Sequence, residues 1–337
     1  SRLRKISFYA REAEASGDWN TQLFPDNLMM GADNGQGGNT PPTATASMWV
    51  QNQPGPLEMN FAGQSVWEES TTVYEDQVKN AFRSEAEFAE FVAGIMTEKG
   101  NDIESQKEAF NRMTMLNFMA GVIDINQSGS VRHMLTEFNA RFNSSGTPWT
   151  YADVMSTYLK EFLAFFVAEF KKASDRMTYR TKDFHWSPAK TIGGVNYSLL
   201  RHTPKSKQRA VLYQPLFTEA ESLVMPEIFN PQYLSLENYE GVQFWQNFEA
   251  PDSISITPAI PDVAGTNNGE QTAGTAVAED HVIGMLFDED ALMVDYQLEA
   301  SNTTPLEARK RYRNIWWTFS KNSINDFTEN AVIFLLD

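Results

Sequence analysis

Cysteine is absent from the 337 residues. Disulfides, thiolate metal sites and cysteine nucleophiles are therefore excluded. Histidine is scarce: His133, His185, His202 and His281 stand far apart, without the paired spacing of a metal site. No apolar run approaches the ~18 residues needed to cross a bilayer, so no membrane partner is expected. Basic residues are in deficit, with 27 Lys and Arg against 44 Asp and Glu and a formal net charge of −17. A general binder of the outside of nucleic acids needs a basic footprint, and this balance argues against one. It fits a soluble surface with strong self-repulsion. The opening SRLRKISFYAREAE is basic but lacks a signal-peptide apolar core. Its Ser is consistent with removal of an initiator Met, and the chain is expected to be intracellular at synthesis.

Catalytic templates are missing as well. Gly31, Gly35, Gly37 and Gly38 do not form G-x-G-x-x-G after a strand, and no phosphate-binding G-x-x-x-x-G-K-[ST] or nucleophile-elbow G-x-S-x-G occurs. Asp288-Glu289-Asp290 lacks the spacing and glycine of a calcium loop and reads as a solvated turn. Carboxylate pairs such as Glu68/Glu69 are too common in so acidic a chain to suggest a glycosidase. His185 and His202 read as packing residues. Asn143, Asn196 and Asn302 fit the glycosylation pattern, which means nothing without secretion. No catalytic, cofactor-binding or metal residue is expected, and no cofactor.

The composition, 42% hydrophobic and 21% charged, is that of a folded globular protein, and the length suggests about two structural units. Arg2, Arg4, Lys5 and Arg11 form a basic cluster before the Gly-rich GADNGQGGN. Residues 1–35 read either as a tail or as an arm that orders on a partner. Residues 36–74 carry no helical period and four prolines, at 41, 42, 54 and 56. Trp49, Phe61 and Trp67 would be costly to leave in water, which makes this long loop an expected interface.

Thr72-x-x-Glu75 reads as a capping box opening a helix that Gly100 ends. Asn101-x-x-Glu104 starts a second, whose Phe110, Met113, Met115, Leu116, Phe118 and Met119 point almost all round and so predict cover on several sides. Thr150-x-x-Asp153 opens a third, with Met155, Leu159, Phe162, Phe166 and Phe170 at helical spacing and Lys171 and Lys172 at its end. From about residue 175 the pattern turns to strands: TIGGVNYSLL, RAVLYQPLF and VQFWQNF, then an exposed loop with an Asn268-Gly269 turn. HVIGMLF reads as a buried strand, and ALMVDYQLE alternates, with Leu292, Val294, Tyr296 and Leu298 on one face. Thr304-x-x-Glu307 with Pro305 predicts one helical turn, RYRNIWWTF a long strand, and AVIFLL the last one. No internal repeat is present.

A basic arm, an aromatic loop, long helices and a β-rich second half suit a self-assembling structural subunit. The chain resembles the major capsid proteins of tailed double-stranded DNA phages with the Hong Kong 97 (HK97) type of fold. The likeness is greatest to coat proteins of small short-tailed phages of Gram-positive bacteria and related gut phages. The carrying segments are DFHWSPAKTIGG, LRHTPKSKQRAVLYQPLFTEAESLVMPEIFNPQYLSL, FWQNFEAPDSISITPAIPD, IGMLFDEDALMVDYQLEASNTTPLEARKRYRNIWW and INDFTENAVIFLLD. The helical block EDQVKNAFRSEAEFAEFVAGIM, followed by MLNFMAGV, is similar too.

The resemblance implies an α+β fold with five parts. These are an N-terminal arm (1–35), an extended loop overlapping a neighbour (36–74) and a peripheral domain with a long spine helix (75–125). An axial domain (126–284) and a return to peripheral strands (285–337) complete them. It implies a non-enzymatic coat protein that forms hexamers and pentamers of an icosahedral or prolate head around packaged double-stranded DNA. Assembly would take place in the host cytoplasm, with the product in the virion. Scaffolding and portal proteins are implied partners, with a decoration protein as an option, and DNA contact would be loose. No Lys–Asn crosslink is expected. Inter-subunit contacts are assigned to Arg2, Arg4, Lys5, Trp49, Phe61, Trp67, Glu68 and Glu69, with the two glutamates as partners for a neighbour's arm. The alternative is a phage tail or receptor-binding module.

Overall fold

The structure is a computed structural model; it describes residues 2–8, 56–62, 65–74, 85–127, 129–188, 190–192, 195–223, 239–262 and 271–337. The expected Gly-rich stretch, Trp49 with most of the 36–74 loop, the helix start expected after Tyr74, and the Asn268-Gly269 turn lie outside the described residues.

The first elements are β1 (Arg2–Phe8), β2 (Pro56–Ala62), β3 (Ser65–Tyr74), α1 (Glu85–Ile125), β4 (Val131–His133) and α2 (Met134–Phe142). Then come α3 (Tyr151–Ser156), α4 (Leu159–Met177), β5 (Lys190–Ile192), β6 (Val195–Tyr197), β7 (Gln208–Tyr213), α5 (Gln214–Leu223) and β8 (Tyr239–Val242). The rest is strand: β9 (Ile254–Ile256), β10 (Ala259–Pro261), β11 (Gln271–Ala273), β12 (Val277–Glu279), β13 (Val282–Asp288), β14 (Leu292–Thr303), β15 (Tyr312–Asn325) and β16 (Ala331–Leu335). Two compact units divide the chain: residues 1–3, 60–186 and 201–337 form one, residues 4–59 and 187–200 the other. β1 pairs with β2, and β5 with β6 as a hairpin.

The larger unit is built on a five-stranded sheet of order β4-β16-β13-β7-β8. β13 and β16 are apolar runs in which every residue is buried, the signature of central strands covered on both faces. The final strand therefore sits inside this sheet, between β4 and β13, and not beside β14 and β15.

On one face of the sheet, Phe162, Phe166 and Phe170 of α4 pack with Leu212, Leu286 and Phe334. On the other, Leu116, Phe118, Met119 and Val122 of α1 pack with Val211, Met285, Ile333, Leu335 and Trp245. Trp245 is fully buried, and its Nε1 donates to the carbonyl of Val282 at 2.9 Å. A buried polar seam fixes the sheet's register. Thr203 donates to Asp288 (2.7 Å), Asn330 to Thr203 (3.1 Å), and His185 Nδ1 meets Asn330 Oδ1 at 3.0 Å. Gln208 donates to the carbonyls of Ser174 and Thr203. Each of these groups has its partner, so the seam rigidifies the core instead of destabilising it.

Glu169 of α4 is buried and receives Arg132 at 3.0 Å and Lys172 at 2.6 Å. Burial pushes its carboxyl up, but these two cations outweigh it and hold the pKa below the usual range. A depressed carboxylate contributes stability above its unfolded pKa, and that stability is lost as pH falls through the folded value. Glu169→Gln should therefore cost about 2 kcal/mol at pH 7, because it removes the counter-charge of Lys172 and the second carboxylate facing Arg132, which keeps Glu137. Chemical denaturation at pH 7 and at about pH 3 checks this, the gap shrinking at the lower pH.

Several local readings are overturned by tertiary contacts. Gly100 does not end a helix: α1 runs unbroken for 41 residues. Thr72 caps nothing; it lies in β3, where the β-branched STTVY run pairs with β15. QPLF opens α5 instead of extending β7. The turn after Thr304 is not helical, and Arg311 takes a left-handed φ of 52°. The Thr150/Asp153 capping box is present, but it opens only the six-residue α3, and α4 starts afresh at Leu159.

Glycines in α1 give opposite expectations. A Cβ at Gly94 or Gly100 meets nothing within 4 Å, so alanine there should add up to about 1 kcal/mol from helix propensity. At Gly121 a Cβ would overlap the ring of Phe327, which is stacked on Phe118 at 5.3 Å and cannot retreat. Overpacking costs about 1–3 kcal/mol and outweighs propensity. Thermal melts of the three alanine variants should move up, up and down.

Candidate functional site

Beyond the core, α1 lies against a three-stranded ribbon of order β14-β15-β3. Odd-numbered residues of β3 turn toward the helix, because they alternate half-buried with exposed neighbours from Trp67 to Tyr74. Trp67 stacks on Phe319 of β15 with ring centroids 5.0 Å apart, and meets Phe110 of α1 edge-on at 4.9 Å. Its Nε1 donates to Gln106 at 3.1 Å. Gln106 in turn donates to Glu69, whose other oxygen pairs with Lys99 at 3.3 Å. The Lys99 ammonium is held above its ordinary pKa by its hydrogen bonds to Glu69 and Asp102.

The other edge is tied in the same way. Tyr296 of β14 donates to the carbonyl of Lys107 (3.1 Å) and meets Asn111 at 3.0 Å, and burial pushes its hydroxyl pKa up. Lys107 pairs with Glu299 at 2.5 Å, the bond that chiefly raises its pKa. Between the edges, the Lys321 ammonium sits 3.2 Å from the centroid of the Phe110 ring, and burial lowers its pKa. The expected alternation of β14 holds to Tyr296; a register shift between Tyr296 and Leu298 leaves Gln297 unpaired as a bulge.

The expected contact residues are placed as follows. Arg2 lies in β1; Arg4 is exposed and pairs with Glu58 of the same chain at 2.8 Å; Lys5 is half-buried. Phe61 is half-buried in β2. Trp67 and Glu69 turn inward onto α1, and Glu68 faces away, with Thr318 at 3.5 Å. Trp49 lies outside the described residues. The ribbon's outward face leaves Val66 57% and Trp316 38% exposed, with Tyr74 and Tyr312 paired at 5.7 Å. Trp316 was hidden in the sequence, where RYRNIWWTF gave two adjacent tryptophans and no way to say which faced out.

His185, His281 and the acidic triplet are engaged within the chain. His185 is buried in the polar seam, and His281 stacks on Tyr151 while contacting Asp252 at 2.6 Å. Asp288, Glu289 and Asp290 are engaged by Thr203, Arg209 and Lys207. Among the described residues, no cluster of three His, Asp or Glu is arranged to hold a metal ion.

A family model described as Phi29-like phage major capsid protein matches residues 67–335, most of the chain. The chain belongs to that family. It is a major capsid protein, which self-associates into a capsid shell and resides in the virion, and the tail-module alternative is set aside. No curated protein matches it. Among solved structures, a chain of native bacteriophage P68, from a structure of its head fiber and inner core protein, is 10% identical with a TM-score of 0.58. That alignment covers 100% of the capsid protein and 81% of the P68 chain. A chain of the Staphylococcus phage Andhra capsid is also 10% identical, with a TM-score of 0.53 and coverage of 100% and 80%. At such identity the likeness carries the fold alone: the capsid protein has the mixed helix-and-sheet architecture of tailed-phage coat proteins.

Proposed function

We propose that this capsid protein builds an icosahedral or prolate head from hexamers and pentamers around packaged double-stranded DNA, without catalysing a reaction. The observation that carries the reading is α1 clamped along the β14-β15-β3 ribbon, with Trp316 and Val66 left exposed on the outer face. A contact repeated in many copies needs rigid elements to set its angle and exposed aromatics to give it energy.

In this reading residues 1–35 serve as the arm and 36–74 as the loop overlapping a neighbour. Residues 75–125 carry the spine helix, 126–284 the axial domain and 285–337 the returning strands. Arg2, Arg4, Lys5, Trp49, Phe61 and Glu68 are proposed to touch neighbouring subunits. Trp67 and Glu69 act instead by holding the ribbon on α1. Scaffolding and portal proteins and a decoration protein are the proposed partners, with DNA lying loosely on the inner face. Assembly is assigned to the host cytoplasm, and kinship to coat proteins of phages of Gram-positive bacteria.

Cryo-electron microscopy of particles from cells expressing the chain with its neighbouring head genes tests this. Five-fold and six-fold rings in one closed shell, holding nuclease-protected double-stranded DNA, are expected. Rings of a single symmetry, or shells without protected DNA, contradict it.

A further inference from the structure

Positive charge is scarce here but concentrated. Nine of the 27 Lys and Arg fall in residues 171–182 and 201–209, segments that hold one acid, Asp175. The fold joins the two segments. Thr181 and Arg201 exchange backbone hydrogen bonds at 3.0 Å, Thr203 donates its backbone N–H to Met177, and Lys205 reaches Asp175 at 2.5 Å. Part of the charge is neutralised locally: Lys172 by Glu169, Lys207 by Asp290 and Arg209 by Glu289. Lys171, Arg176 and Arg180 are exposed and have no acidic partner among the described residues. Tyr179, between the two arginines in sequence, is 71% exposed.

The opposite sign is concentrated on α1. From Glu85 to Glu108 there are seven acids against Lys99 and Lys107. By the helical period Glu90, Glu104 and Glu108 share one face, turned away from the ribbon-facing Ile103 and Phe110. Glu104 and Glu108 contact Lys107 and Arg112, yet their side chains remain 73% and 71% exposed.

Resting on the shell-building reading, we propose that the basic end of α4 in one copy docks on the acidic face of α1 in a neighbouring copy. Copies carrying −17 each repel overall, so a contact must bring unlike patches together to orient the encounter. The two patches differ, so the contact is heterologous, the kind that closes into rings. Duplex DNA is the competing occupant of the basic patch.

The test uses two full-length variants and their combination: Lys171→Glu with Arg176→Glu and Arg180→Glu, and Glu90→Lys with Glu104→Lys and Glu108→Lys. Shell yield is read by sedimentation and electron microscopy, and subunit folding by thermal melts. Each one-sided set should cut shell yield about tenfold while melting like the parent, and the combined set should recover most of it. Parent shells with undiminished yield in both one-sided sets, or no recovery in the combination, overturn the contact alone. Intact shells from the basic-patch set that retain less DNA overturn it in favour of DNA. Absence of shells from the parent, both alone and with the neighbouring head proteins, sinks the shell-building reading, and this contact with it.

Discussion

Phe334→Ala is expected to remove about 4 kcal/mol of stability, within the range of large-to-small changes at buried aromatics. Phe334 is fully buried in β16 and contacts Phe166 and Phe170 of α4 at ring distances of 5.4 and 5.3 Å. Opposite it on β13 is Gly284, where a Cβ would lie 2.7 Å from the carbonyl oxygen of Val211 and overlap Leu212. The backbone here has already closed to its limit, so the sheet cannot move in to fill the void. A loss of that size is a large share of a typical domain's ~5–15 kcal/mol. Denaturant titration should show the loss, while Phe334→Leu retains most of the stability. A Phe334→Ala protein as stable as the parent would contradict the packing.

Trp67→Ala is expected to cost about 3 kcal/mol, at the low end for an aromatic because the ring is only half-buried. Its larger effect is on assembly. Trp67 touches Phe319 on the ribbon and both Phe110 and Gln106 on the helix. Without it, Glu69–Lys99, Tyr296–Lys107 and Lys107–Glu299 remain as polar ties at the ribbon's edges, with Lys321 on the Phe110 ring between them. Partly exposed ion pairs contribute little, so the angle between ribbon and helix loosens. Shell formation should fail at temperatures where the subunit still melts cooperatively. Trp67→Phe keeps the stack, loses the bond to Gln106 at about 1 kcal/mol, and should still assemble. Normal shells from Trp67→Ala would show that the ribbon is held by other means.

What was legible in the sequence was legible for a physical reason. The apolar runs of β13 and β16 have one solution, a place covered on both faces, and the sheet gives them that. The alternation of β14 was readable until Gln297, where pairing with β15 inserts a bulge that no local pattern encodes. Gly100 misled because the cost of a glycine, about 1 kcal/mol, is small beside the contacts of Lys99, Asp102 and Gln106 that hold α1 together around it. Thr72 misled because its neighbours in β3 are β-branched and found a partner strand 242 residues away in sequence, with Thr72 donating to Asn314 at 2.8 Å. Trp67 was marked by its size as an interface residue, and the structure gives it an intramolecular one. The basic patch was not legible because its halves are separated by the 183–200 segment and are joined only by tertiary contacts such as Thr181–Arg201 and Thr203–Met177.

Negative-stain electron microscopy of the purified full chain tests the central claim most directly. Closed shells of uniform diameter, or sheets of six-fold rings, are the predicted result. A monodisperse monomer or trimer, both alone and with the neighbouring head proteins, would contradict it.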